Sequence, residues 1–238
     1  MQVRIVTQTH RMSAFKKRTI QVAGIIDEDE ARLLVECGVD FLGFPLEPVH
    51  GKEEIAEETA GQIIRALRPP AHGVLVTYLS LAGAIWSRCR NLGVSIVQLH
   101  GDVALEELER LRRAAPDLLI VKTLVVRDDN LSRLVDEMDR VRPHVDAFLT
   151  DTFDADTGRW GATGKTHDWS VSRRLVEHSA RPVVLAGGLT PENVQRAILD
   201  VRPAGVDVHT GVEDLGGRKD RRLIEKFVEQ SRKGFASI

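Results

Sequence analysis

From Thr19 onward the chain keeps one rhythm: short apolar, β-prone runs alternate with amphipathic stretches. The runs are 19–23 (TIQVA), 40–44 (DFLGF), 72–77 (HGVLVT), 94–98 (VSIVQ), 118–124 (LLIVKTL), 145–150 (VDAFLT), 182–186 (PVVLA) and 205–208 (GVDV). Most are apolar at consecutive positions, the pattern of parallel strands covered on both faces. Helical periodicity marks 28–37, 53–67, 79–91, 103–114, 129–141, 168–178, 191–200 and 218–232. Their ends carry stop and start chemistry: Asp168 is placed to cap one helix, Pro191 to sit just inside another after Thr190, and Gly38 and Gly93 to close two more. Eight such pairs predict an α/β chain folded as a single (β/α)8 TIM barrel, residues 19–238, with residues 1–18 as an N-terminal extension. A doubly wound open sheet is the other arrangement of this rhythm, but the first strand–helix turn has no GxGxxG.

Composition narrows the partners. The 238 residues are 42% hydrophobic and 29% charged with a formal net charge of -2, which gives no basic footprint for nucleic acid or an anionic membrane. No apolar run approaches the ~20 residues of a membrane span, and the N-terminus lacks the apolar core of a signal peptide. Cys37 and Cys89 are too far apart in sequence to read as a CxxC motif or a disulfide framework, so both are expected to pack in helices in a reducing cytoplasm. The eight histidines show no HExxH or HxH spacing, and no metal site is expected.

A barrel of this kind places its active site in the loops after the strands. Strand seven ends in Gly187-Gly188 and strand eight runs into Thr210-Gly211. Glycines let backbone N–H groups approach an anion, and these two loops are the usual phosphate site of the fold. Two tight turns needing positive φ are the alternative explanation. Asp151, at the end of strand six, is a carboxylate at the barrel mouth suited to general acid–base work, or to capping the long loop that follows. Asp207 is a charge inside a barrel strand, costly unless paired or functional. Lys122, at the end of strand five, reads as a salt-bridge partner or as a Schiff-base lysine.

Four segments in order resemble the phosphoribosylanthranilate isomerases of tryptophan biosynthesis: IVQLHG (96–101), GATGKTHDW (161–169), LAGGLTPENV (185–194) and RPAGVDVHTGVE (202–213). The similarity extends from about Thr19 to Val228. It implies an Amadori-type aldose–ketose isomerisation of a phosphoribosyl amine, with a phosphorylated sugar as substrate and no metal or organic cofactor. By the resemblance Asp151 is the general acid, Asp207 lies near the substrate, and Gly164, Gly187-Gly188 and Thr210-Gly211 hold the phosphate. His100 corresponds to a structural histidine beside the site. A cytoplasmic monomer or homodimer fits the family.

The departures from that pattern concentrate in the other half of the site. The family's base is a cysteine at the end of strand one, in a Lys-Ile-Cys-Gly segment that here reads Gln21-Val22-Ala23-Gly24. An arginine that holds the anthranilate carboxylate falls in EPVHGKEEIA (47–56), which offers His50 and Lys52. A family serine after strand eight is His209. His209, His50, Glu47 and Tyr78 are then the candidate bases. Three readings stay open: an isomerase with a replacement base, a phosphosugar lyase or aldolase using Lys122 or His209, and a silent phosphosugar-binding barrel.

Overall fold

In the computed structural model, residues 18–46, 55–127, 130–154, 159–160 and 166–238 are described. Eight parallel strands alternate with eight helices. They are β1 (Thr19–Ala23), α1 (Glu28–Glu36), β2 (Phe41–Pro45), α2 (Glu57–Ala66), β3 (His72–Thr77), α3 (Ala82–Leu92), β4 (Ile96–Leu99) and α4 (Leu105–Ala114). The second half comprises β5 (Leu119–Val126), α5 (Leu131–Val141), β6 (Ala147–Asp154), α6 (Trp169–His178), β7 (Val183–Leu185), α7 (Val194–Val201), β8 (Gly205–Val208) and α8 (Arg221–Ala236). Each strand pairs with the next, and β8 pairs with β1 in parallel, so the sheet closes into a barrel. A two-residue strand, Arg159–Trp160, returns antiparallel onto the end of β6.

The side-chain period of two splits each strand between two apolar layers. Ile20, Val22, Leu42, Leu75, Val97, Ile120, Phe148, Leu185 and Val206 belong to the core under the helices. Phe41, Val74, Ile96, Val121, Ala147, Leu149, Val184 and Ala186 form a second core inside the barrel. The registers carry this parity round the ring: Gln21 pairs with Phe41 and with Asp207, so both polar side chains follow the inner face. Burial on both faces explains why the strands read as continuous apolar runs.

Several boundaries move. The helix expected from Pro191 starts at Val194, because residues 190–193 form a turn in which Asn193 Oδ1 accepts the Thr190 N–H at 2.8 Å. Strand β6 runs to Asp154 rather than 150, extended by its pairing with β5 and with Arg159–Trp160. The last helix begins at Arg221, where Asp220 accepts the Leu223 N–H and caps it. Asp168 does cap α6, accepting from Ser170 N at 2.8 Å, and Gly38 and Gly93 both take positive φ after their helices.

Candidate active site

One cavity opens at the carboxyl end of the barrel. Its wall includes Ala23, Tyr78, Gln98, His100, Asp151, Asp207 and His209, and its rim on the β7–β8 side is Gly187, Gly188, Leu189, Thr210 and Gly211. The inner parity of the strands accounts for most of this set: Ala23 follows Gln21, His100 follows Gln98, and His209 follows Asp207, each two residues further along.

The floor is polar and buried. Gln21 Nε2 donates to Gln98 Oε1 at 2.7 Å, and the Gln21 side chain also hydrogen-bonds Asp207. Asp151 and Asp207 are both buried. Burial pushes the Asp151 carboxyl up to about 7, against a hydrogen bond donated to Oδ1 by Thr152 N at 2.7 Å. Burial, and then the charge of Asp151, push Asp207 up to about 7 as well, despite the Gln21 hydrogen bond and the more distant Lys219 ammonium. Both carboxyls are thus raised towards neutrality, the poise required of a general acid. His100 Nε2 stands 3.7 Å from Asp151 Oδ2, and its ring lies 4.9 Å from that of Tyr78.

The glycine rim is built for close approach. Gly187 and Gly188 have φ of 91° and 62°. A Cβ on Gly187 would lie 2.0 Å from Thr152 Oγ1, and one on Gly211 would lie 1.9 Å from the Leu189 carbonyl oxygen. Asn193 pins the loop from the helix side by donating Nδ2 to the Gly188 carbonyl at 2.9 Å. Thr210–Val212 form a 3-10 turn that faces it. Beneath, the half-buried His167 bridges Thr152 Oγ1 at 2.9 Å and Ser172 Oγ at 2.6 Å, and desolvation lowers its pKa to about 4.

Of the residues expected from sequence, Asp151, Asp207, His209, His100, Gly187, Gly188, Thr210 and Gly211 come together in this cavity. Lys122 does not. It alternates to the outer face of β5, where Nζ donates to the Thr123 and Gly101 carbonyls and lies 3.6 Å from Glu137 of α5. Lys52, Gly164, Glu47 and His50 lie outside the described residues. Cys89 is buried with its thiol pushed up to about 12 by desolvation, and Cys37 ends α1 at the opposite pole of the barrel. Gln21 and Glu213 lie in segments that the sequence singles out but carry no assigned role there, and Lys219 lies outside them. A polar residue at an inward position of an apolar strand was the signal for Gln21. Among the described residues no group of three or more His, Cys, Asp or Glu is arranged to hold a metal ion.

The family model described as N-(5'phosphoribosyl)anthranilate (PRA) isomerase matches residues 20–230. The chain belongs to the phosphoribosylanthranilate isomerase family. N-(5'-phosphoribosyl)anthranilate isomerase 2 of Methanosarcina mazei is 37% identical over 220 residues, covering 92% of this chain and 96% of that protein. The Haloferax volcanii isomerase is 39% identical over 210 residues, covering 88% and 90%. Among solved structures, the phosphoribosylanthranilate isomerase of Thermotoga maritima superposes with a TM-score of 0.76 at 30% identity, covering 90% of this chain and 98% of that one. Another isomerase structure, at TM-score 0.75 and 29% identity with coverage of 90% and 98%, holds reduced 1-(o-carboxyphenylamino)-1-deoxyribulose 5-phosphate.

Proposed function

We propose that this barrel converts an N-(5'-phosphoribosyl)anthranilate-type amine into the corresponding 1-amino-1-deoxyribulose 5-phosphate. The observation that carries the reading is the placing of two buried carboxyl groups, Asp151 and Asp207, in the same cavity as the glycine rim of β7 and β8. The rim's backbone N–H groups bind the substrate phosphate: Gly187, Gly188, Thr210 and Gly211 line the cavity, and positive φ at Gly187 and Gly188 turns the chain there. Asp151 gives its proton to the furanose ring oxygen, the C1–O bond breaks, and the amine lone pair forms the iminium. A base then takes the C2 proton, leaving an enolamine that tautomerises to the ketone. Asp207, hydrogen-bonded to Gln21 and two strands round the barrel from Asp151, holds the sugar hydroxyls. The resemblance assigns Lys52 to the aglycone carboxylate and Gly164 to the phosphate; both lie outside the described residues.

A Schiff-base lyase loses its nucleophile, because the Lys122 ammonium is turned away from the cavity and held by Glu137. Two buried carboxyl groups lining the cavity favour catalysis over silent binding. Localisation in the cytoplasm is part of the proposal. Among the described residues no helix is long and apolar enough to cross a membrane. Complementation tests the whole reading: the gene should restore growth without tryptophan to a strain lacking its isomerase, and the Asp151→Asn variant should not. No growth with the wild-type chain, expressed and folded, contradicts it.

A further inference from the structure

The isomerisation needs a base as well as an acid, and the end of β1 supplies none: Ala23 lines the cavity without a group that accepts a proton. The β1–β8 register stops at Val22 against Val208, so the next residues along, Ala23 and His209, are neighbours across the ladder. The imidazole fills space that only glycine leaves open. A Cβ on Gly24, whose φ is 83°, would fall 2.1 Å from His209 Nε2 and 2.5 Å from Cδ2.

A buried network holds this ring in place. His209 Nε2 lies 3.4 Å from Glu213 Oε1, and the Glu213 side chain is only 8% exposed. Lys219 Nζ, fully buried, donates to the same Glu213 oxygen at 2.9 Å and to the His209 carbonyl at 2.9 Å. The Lys219 backbone N–H donates to Glu30 Oε1 at 3.1 Å, and Arg218 Nε donates to that oxygen at 2.8 Å. Glu30 Oε2 in turn accepts the N–H of Ile26, two residues past Gly24. Glu30 therefore ties the loop that makes room for the imidazole to the loop that carries it.

Resting on the proposed isomerisation, we infer that His209 is the base that removes the C2 proton, with Glu213 as its positioning residue. A carboxylate at Nε2 takes the N–H of the neutral ring, which leaves the lone pair on Nδ1 to accept the proton. The resulting imidazolium is paired with Glu213, and it returns the proton as the enolamine becomes the ketone. The arrangement is a base oriented by a third group, here drawn from one turn of the chain.

Steady-state kinetics with N-(5'-phosphoribosyl)anthranilate separate the possibilities. His209→Gln should lower kcat by roughly 10²–10⁴-fold, the usual contribution of a general base, with KM changing far less. In His209→Ala, added imidazole should restore part of the lost rate, which a purely structural role would not allow. Glu213→Gln should lower kcat about tenfold at nearly constant KM, as loss of ring orientation rather than of binding, and Glu213→Asp should recover part of it. Wild-type turnover with kcat of His209→Gln retained within a factor of three overturns this assignment alone. No turnover by the wild-type chain overturns the isomerase reading and the assignment together.

Discussion

The proposed acid chemistry rests on Asp151, while Gln21 tunes the neighbouring Asp207. Asp151 is held protonated near neutrality by burial, so Asp151→Asn keeps the shape and removes the transferable proton. The expected result is a kcat lower by roughly 10²–10⁴-fold, the range of one acid–base group, with product affinity retained; equal turnover would remove Asp151 from the reaction. Gln21 is the neutral partner of Asp207, and Gln21→Lys would put a cation in its place. A positive neighbour favours the ionised carboxylate, so Asp207 should titrate below its present value of about 7. Carbon NMR of the labelled carboxyl group measures this, and an unmoved midpoint would mean that the two side chains do not interact. These roles were unevenly legible in the sequence. Asp151 and Asp207 stand out because a carboxylate in an apolar strand is costly. Gln21 was visible as a departure from the family's lysine, but what it touches depends on the register of β1 with β8. Lys122 shows the converse: its place near a strand end suggested the mouth, and the period of two turned it to the outside.

At the scale of elements, the β7–α7 loop carries the phosphate end of the account. Its glycines were readable as a phosphate loop or as tight turns, and they are turns by geometry, with positive φ at Gly187 and Gly188. The start of α7 was misjudged because Pro191 is equally at home in the turn that Asn193 closes. Asn193→Ala removes two hydrogen bonds to that loop and should cost about 1–3 kcal/mol of stability. It should also weaken binding of inorganic phosphate in calorimetry; unchanged affinity would place the anion elsewhere. His167, within the GATGKTHDW segment but with no role assigned from sequence, fastens the end of β6 to α6. Its folded pKa of about 4 lies below the ordinary value of 6.5, so the unfolded chain binds the extra proton between those limits. Its contribution to stability is therefore complete above about pH 6.5 and is lost as pH falls towards 4. His167→Phe should abolish that part of the acid dependence in denaturant titrations; a slope identical to the wild type would contradict it.

For the molecule as a whole, the rhythm of strand and helix settled the barrel, because two-sided burial writes apolar runs into most of the eight strands. The same architecture makes the site expensive to keep. Asp207 ionises at 3.8 in the unfolded chain and at about 7 in the folded one. The folded state thus binds more protons between these values, and stability falls as pH rises through them. Asp207→Asn should raise the melting temperature at pH 8 more than at pH 5, by a difference on the order of 3 kcal/mol in unfolding free energy. A gain independent of pH would mean that the carboxyl is not held neutral. The central claim is that this cavity isomerises a phosphoribosyl amine with Asp151 as the acid. The most direct measurement is the decay of N-(5'-phosphoribosyl)anthranilate fluorescence with purified protein, wild type against Asp151→Asn. Rapid decay with the wild type, slowed by at least about a hundredfold in the variant, is the predicted result; no decay with the folded wild type, or equal decay with both, would contradict it.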